Sequence, residues 1–191
     1  MMNLSFFAVG HAGYYLLIAV FVACIAILIH FSGSRRRRPK SRADELQEKY
    51  AVLTADLLAA TPDEEVVTAV AANLMAKLKK NRPDPLVTIV QLSRGRNAVY
   101  FVWLLCKEAE KNGVAALLRK PAVRFLESGI EGLETVGATE TAAAARALTA
   151  PQEDAAQETL LAALETALEA EKPLSLCCDY IRAMPDDFVD E

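Results

Sequence analysis

Residues 98–106 read AVYFVWLLC, from Ala98 to Cys106, nine apolar residues on end that include the only tryptophan of the chain. A helix made of them is apolar all round and has to be buried. At about 1.5 Å per residue the run spans roughly 14 Å, under half of the ~30 Å hydrocarbon layer, so it cannot cross a bilayer and reads as the central helix of a core.

Working outward, the neighbouring segments repeat with helical spacing. On the C-terminal side Asn112-Gly113 ends or interrupts the central helix, and Pro121 begins another that runs through Phe125, Leu126, Ile130 and Leu133 to a Gly137 cap. Thr139 can N-cap an Ala-rich helix to about Thr149; Pro151 opens one with Leu160, Leu161, Leu164 and Leu168 as its stripe; the last runs from Leu174 to Met184 and stops at Pro185. On the N-terminal side, Leu46, Tyr50, Leu53 and Leu57 form one stripe of a helix ending near Ala60. Thr61, Pro62 and Glu64 then start a helix with the stripe Val66 or Val67, Val70, Leu74 and Leu78, and Lys77, Lys79 and Lys80 lie where its dipole favours cations. The run LVTIVQL at residues 86–92 has strand composition, but no second β-rich run exists to pair with it, so it reads as a short helix or turn on the core. The expectation is an all-α fold, with six to eight helices forming one domain over residues 44–191.

The first 34 residues carry no charge, and residues 12–31 offer an apolar stretch long enough to span a bilayer. Arg35, Arg36, Arg37, Arg38, Lys40 and Arg42 follow, with no basic residue on the other side of that stretch. The reading is a single-pass transmembrane anchor over residues 1–34 and a basic juxtamembrane linker over 35–43 that orients the chain and contacts lipid. It places the protein in the cell membrane, N-terminus outside and C-terminal domain in the cytoplasm.

The net charge of −4 hides an uneven layout. Residues 35–43 hold six basic and no acidic groups, residues 44–126 hold 12 basic and 10 acidic, and residues 127–191 hold 3 basic and 15 acidic. The acidic last third favours basic partners and disfavours direct nucleic-acid binding. Glu153, Glu158, Glu165 and Glu169 are its candidate contact residues.

Chemistry is constrained by what is missing. Both histidines, His11 and His30, precede residue 31, so Ser-His-Asp and Cys-His systems and imidazole zinc sites are excluded downstream of it. No Walker loop, GxGxxG or HExxH occurs. Ser93 reads as a helix cap with Arg94 and Arg96 solvated, and the neighbours Cys177 and Cys178 read as packing residues. No catalytic residue, cofactor site or metal site is expected.

Several of these segments carry a further pattern. Val99–Cys106, Glu108 or Glu110 with Asn112-Gly113, Leu133-x-x-Val136-Gly137-Ala138, and Tyr180-Ile181 with Phe188 resemble a bacterial all-helical family of unknown function that includes a DNA-mimic protein. The resemblance covers about residues 86–188 and departs at Val114-Ala115, where the family has Gly-Phe. It implies an all-α fold and a binding role. The function expected is a non-enzymatic, membrane-anchored protein-interaction domain; the alternative is an acidic nucleic-acid mimic that sequesters a DNA-binding protein.

Overall fold

The computed structural model describes residues 40–80, 89, 92–150 and 153–190. The chain divides into two units, Met1–Ser41 and Arg42–Glu191. The described residues of the second unit form eight α-helices and no strand: α1 (Arg42–Lys49), α2 (Ala55–Ala60), α3 (Asp63–Lys80), α4 (Arg94–Asn112), α5 (Leu126–Val136), α6 (Thr139–Ala147), α7 (Asp154–Glu171) and α8 (Pro173–Ala183). Short 3-10 turns at Val114–Leu118, Ala122–Arg124 and Pro185–Phe188 join or end them.

The all-helical expectation holds, and the transmembrane one is corrected. No helix among the described residues is long and apolar enough to cross a membrane, and the expected span, 12–31, lies outside those residues. The physical reason is visible in the three longest helices. α3 has 18 residues and α4 has 19, but each is charged at both ends, and the 18 residues of α7 carry carboxylates along their length. The membrane and single-pass descriptions therefore have no helix to rest on here.

α4 is the centre of the domain, as its apolar run predicts. Val99, Val102 and Leu105 are fully buried, while Phe101, Trp103 and Cys106 are only half-buried, so the helix has a less covered flank. α5 lies against it at a distance set by glycine. A Cβ on Gly132 would stand 2.7 Å from the Ala98 carbonyl oxygen, and one on Gly129 would stand 2.8 Å from Leu105 Cδ1. α5 ends as its Gly137 predicts: the residue is left-handed at φ 88°, its N–H donates to Glu134 O, and the Ala138 N–H reaches back to Leu133 O at 2.8 Å.

One expected helix is two. The stripe from Leu46 to Leu57 is interrupted between Lys49 and Ala55, because backbone groups there find partners from elsewhere in the chain. Asn73 Nδ2 donates to the Tyr50 carbonyl at 3.0 Å and to that of Ala51 at 3.2 Å, and the Leu53 N–H donates to Asp190 Oδ2 at 2.9 Å. Thr54 caps α2 by accepting from the Leu57 N–H at 3.2 Å. Thr61 does not cap α3 as expected. Its hydroxyl donates to Leu57 O at 2.7 Å, and Arg182 of α8 bridges the α2–α3 junction by donating to Leu58 O, Thr61 O and Asp63 Oδ1. Of residues 86–92 only Ile89 and Leu92 are described, so the expected short helix there lies mostly outside the described residues.

Candidate functional site

α7 has no basic residue, and Leu164 is fully buried on its inner side while Leu161 and Leu168 are half-buried. Glu158, Glu165 and Glu169 are exposed and make no ion pair among the described residues. Their spacing, i, i+7 and i+11, puts all three on one face within an arc of about 40°. That face borders two grooves. The first, about 440 Å³, lies between α7, the end of α4 and the start of α8; half-buried Cys106, Ala109, Val114 and Leu168 floor it and Glu110, Glu165 and Glu169 stand at its rim. The second, about 390 Å³, lies between α7 and the 3-10 turn at Val114–Leu118, with Ala115, Leu118 and Leu161 inside and Glu158 and Arg119 outside. Glu153 is exposed too, but it precedes the helix at its N-cap and lines neither groove. Of the basic candidates, Lys40 and Arg42 are exposed, and Arg35–Arg38 lie outside the described residues.

The local electrostatics of α7 are unfavourable as they stand. Carboxylates near a helix C-terminus oppose the dipole, and like charges four apart repel by a few tenths of a kcal/mol. Glu171 resolves its share by capping a different helix. Its carboxylate accepts from the Glu140 N–H at 3.0 Å and from the N–H and hydroxyl of Thr141, each at 2.7 Å, so α6 starts on a carboxylate from the end of α7 and not on Thr139. Desolvation alone would raise the Glu171 pKa, but those bonds from Thr141 and Glu140 hold it below the ordinary value. Glu165 and Glu169 have no such partner among the described residues.

A second polar cluster lies at the N-terminus of α4. Ser93 caps that helix as expected, accepting from the Arg96 N–H at 3.1 Å, and also donates to Asp187 O. Arg96 contradicts the expectation of a solvated side chain: it is 6% exposed and donates to Asp190 Oδ1 at 2.6 Å and to Asp187 O at 3.1 Å. Asp190 also accepts from Lys77, from Asn73 at 2.9 Å and from the Leu53 N–H. Burial by itself would raise its pKa, but Lys77, the Leu53 amide, Arg96 and Asn73 outweigh it and hold the carboxyl far below its usual range. Both oxygens are engaged within the chain, so this cluster fastens the C-terminal segment over α4; Phe188 is buried beneath it.

The thiols are all raised above their ordinary pKa. Burial pushes Cys106 up to about 12 and raises Cys177 and Cys178 as well, which leaves little thiolate at neutral pH. No group of three His, Cys, Asp or Glu side chains among the described residues is arranged to hold a metal ion. A cavity of about 750 Å³ between α4 and α5 has Arg94, Asn97, Ser128 and Glu131 on its walls together with Glu134, which Arg146 engages at 2.5 Å. These are groups of mixed sign without a nucleophile and base in contact.

The chain matches no protein-family model, no curated protein and no solved structure. The residues that carry the resemblance to the DNA-mimic-containing family occupy structural positions: Asn112-Gly113 ends α4, Gly137-Ala138 ends α5, Tyr180-Ile181 lies in α8, and Phe188 is core. Sequence reasoning placed Glu158, Glu165 and Glu169 but missed the groove beside them. Its wall comes from α4 and the turn after it, elements far earlier in the chain, and only the regular spacing of the glutamates with Leu161 and Leu168 hinted at it.

Proposed function

We propose that residues 42–190 form a non-enzymatic protein-interaction domain whose contact face is the outer side of α7, and that its partner presents basic side chains. One observation carries this reading: Glu158, Glu165 and Glu169 stand exposed and, among the described residues, unpaired on the same face as two grooves, on a helix without a single cation. A merely solvated helix gains by interspersing lysines among its glutamates, whereas α7 keeps a repulsion that a cationic partner relieves.

The test is affinity capture with the full chain and with the triple variant Glu158→Gln, Glu165→Gln, Glu169→Gln. Partners retained by the first and lost by the second, with affinity falling as salt rises, are the expected result. Partners indifferent to the three substitutions would remove α7 from the contact. Release of the captured partner by duplex DNA would instead assign the face to nucleic-acid mimicry.

A further inference from the structure

The two grooves along α7 are stations on one line. Leu161 enters the second and Leu168 the first, seven residues apart on the same helix. At about 1.5 Å per residue that is roughly 10.5 Å, two turns of helix. A helix laid alongside α7 brings its own i and i+7 side chains to the same separation and the same side. An extended peptide does not: at about 3.3 Å per residue, 10.5 Å is close to three residues, and residues three apart in a strand point to opposite faces. The spacing of the stations thus selects a helical occupant.

The charge at the stations selects its composition. The first groove has Glu165 and Glu169 at its rim against Lys172, while Glu110 is engaged by Lys107. The second pairs Glu158 with Arg119 and is nearly balanced. Apolar anchors are wanted at both stations and cations mainly at the first.

We infer that the α7 grooves receive a basic amphipathic helix of a partner protein, seating apolar side chains at i and i+7 in the two grooves, with lysine or arginine flanking the anchor beside Glu165 and Glu169. This is the helix-in-groove mode of recognition. It rests on the proposed role of α7 as the contact face and adds to it the form, register and polarity of what binds.

The full chain is titrated with synthetic fluorescent peptides of one composition and charge. The first is helix-forming, with leucines at i and i+7 and lysines around one of them; the second moves the leucines to opposite faces of the helix; the third carries a central proline. The inference expects the first to bind at least about tenfold more tightly than the other two, a difference of about 1.4 kcal/mol. It also expects Ala109→Phe, which fills the first groove, to weaken the first peptide by a similar factor, and Ala115→Gln in the second groove to weaken it without touching the first. The peptide comparison needs no protein variant, so a poorly folding Ala109→Phe leaves the test intact. Equal binding of all three peptides, all weakened by Glu165→Gln with Glu169→Gln, keeps the acidic face and overturns the helical occupant. Tightest binding by the proline peptide overturns it in favour of an extended one. Displacement of the first peptide by a peptide of residues 33–42 of this chain, at lower concentration than the first peptide itself, assigns the grooves to the chain's own basic stretch and overturns a foreign partner. No binding by any peptide at low salt overturns both readings.

Discussion

The guanidinium of Arg96 and the carboxylate of Asp190 meet at 2.6 Å although 94 residues separate them in the chain. Their side chains are 7% and 10% exposed, so this is an ion pair largely removed from water. Such a pair adds little over an apolar substitute, yet removing one member strands the other and costs about 3–5 kcal/mol. The Asp190→Ala protein should lose about 3 kcal/mol in urea unfolding. Arg96→Met combined with Asp190→Ala should be less destabilised than the two single losses added, by at least about 1 kcal/mol; strict additivity would mean that the pair is not coupled.

Acidity should report the same cluster. The carboxyl of Asp190 titrates below its ordinary 3.8 in the folded chain, so its stabilisation is complete at neutral pH. As pH falls below about 4 the unfolded chain takes up a proton that the folded one refuses, and stability declines until the folded carboxyl titrates too. Glu171 and Glu134 are lowered in the same direction. Urea midpoints measured from neutral pH down to about 2.5 should fall more gently in Asp190→Asn than in the unaltered protein, with a residual slope left by the two glutamates. Parallel curves would contradict the assignment.

Glu171 is a helix cap borrowed from another helix. Glu171→Ala leaves the Glu140 and Thr141 amides at the start of α6 to water, and should cost about 1 kcal/mol, the usual worth of a lost N-cap, reduced somewhat by partial exposure. Hydrogen exchange read residue by residue should show the loss at the first turn of α6 before anywhere else. Uniform loss across the domain would mean that the contact is not a local cap.

Two glycines should respond to alanine for opposite reasons. At Gly132 the new methyl would collide with the Ala98 carbonyl oxygen at 2.7 Å, prising α5 from α4 at a cost of about 2 kcal/mol or more. At Gly113 nothing lies within 4 Å, but φ 79° with ψ 159° is a region essentially confined to glycine, so the cost is backbone strain of about 1–3 kcal/mol. Thermal unfolding should show a lowered midpoint for each, and an unchanged midpoint for Gly132→Ala would refute the close-packing account.

Site-resolved alkylation should find Cys177 unmodified by iodoacetamide under mildly alkaline conditions in the folded protein and modified once urea unfolds it. Its thiol is raised by burial and fully enclosed by packing. Rapid labelling of Cys177 in the native state would reopen a chemical role for the vicinal pair.

What could be read from the residues alone was whatever is settled within a turn or two of chain. The nine apolar residues at 98–106 required a buried helix, Gly137 required a left-handed end to α5, Ser93 capped α4, and the spacing of Glu158, Glu165 and Glu169 put them on one face. Each depends on propensity or periodicity that acts locally. Tertiary structure decided the rest. The break between α1 and α2 follows from Asn73 and Asp190 taking backbone groups of Tyr50, Ala51 and Leu53, the last bond spanning 137 residues. The same long reach buried Arg96, moved the cap of α6 from Thr139 to Glu171, and set α4 beside α7 to make a groove of what would otherwise be only an acidic stripe. Buried polar groups must find partners wherever the fold brings them, and a local pattern in the sequence carries no record of a neighbour so far along the chain.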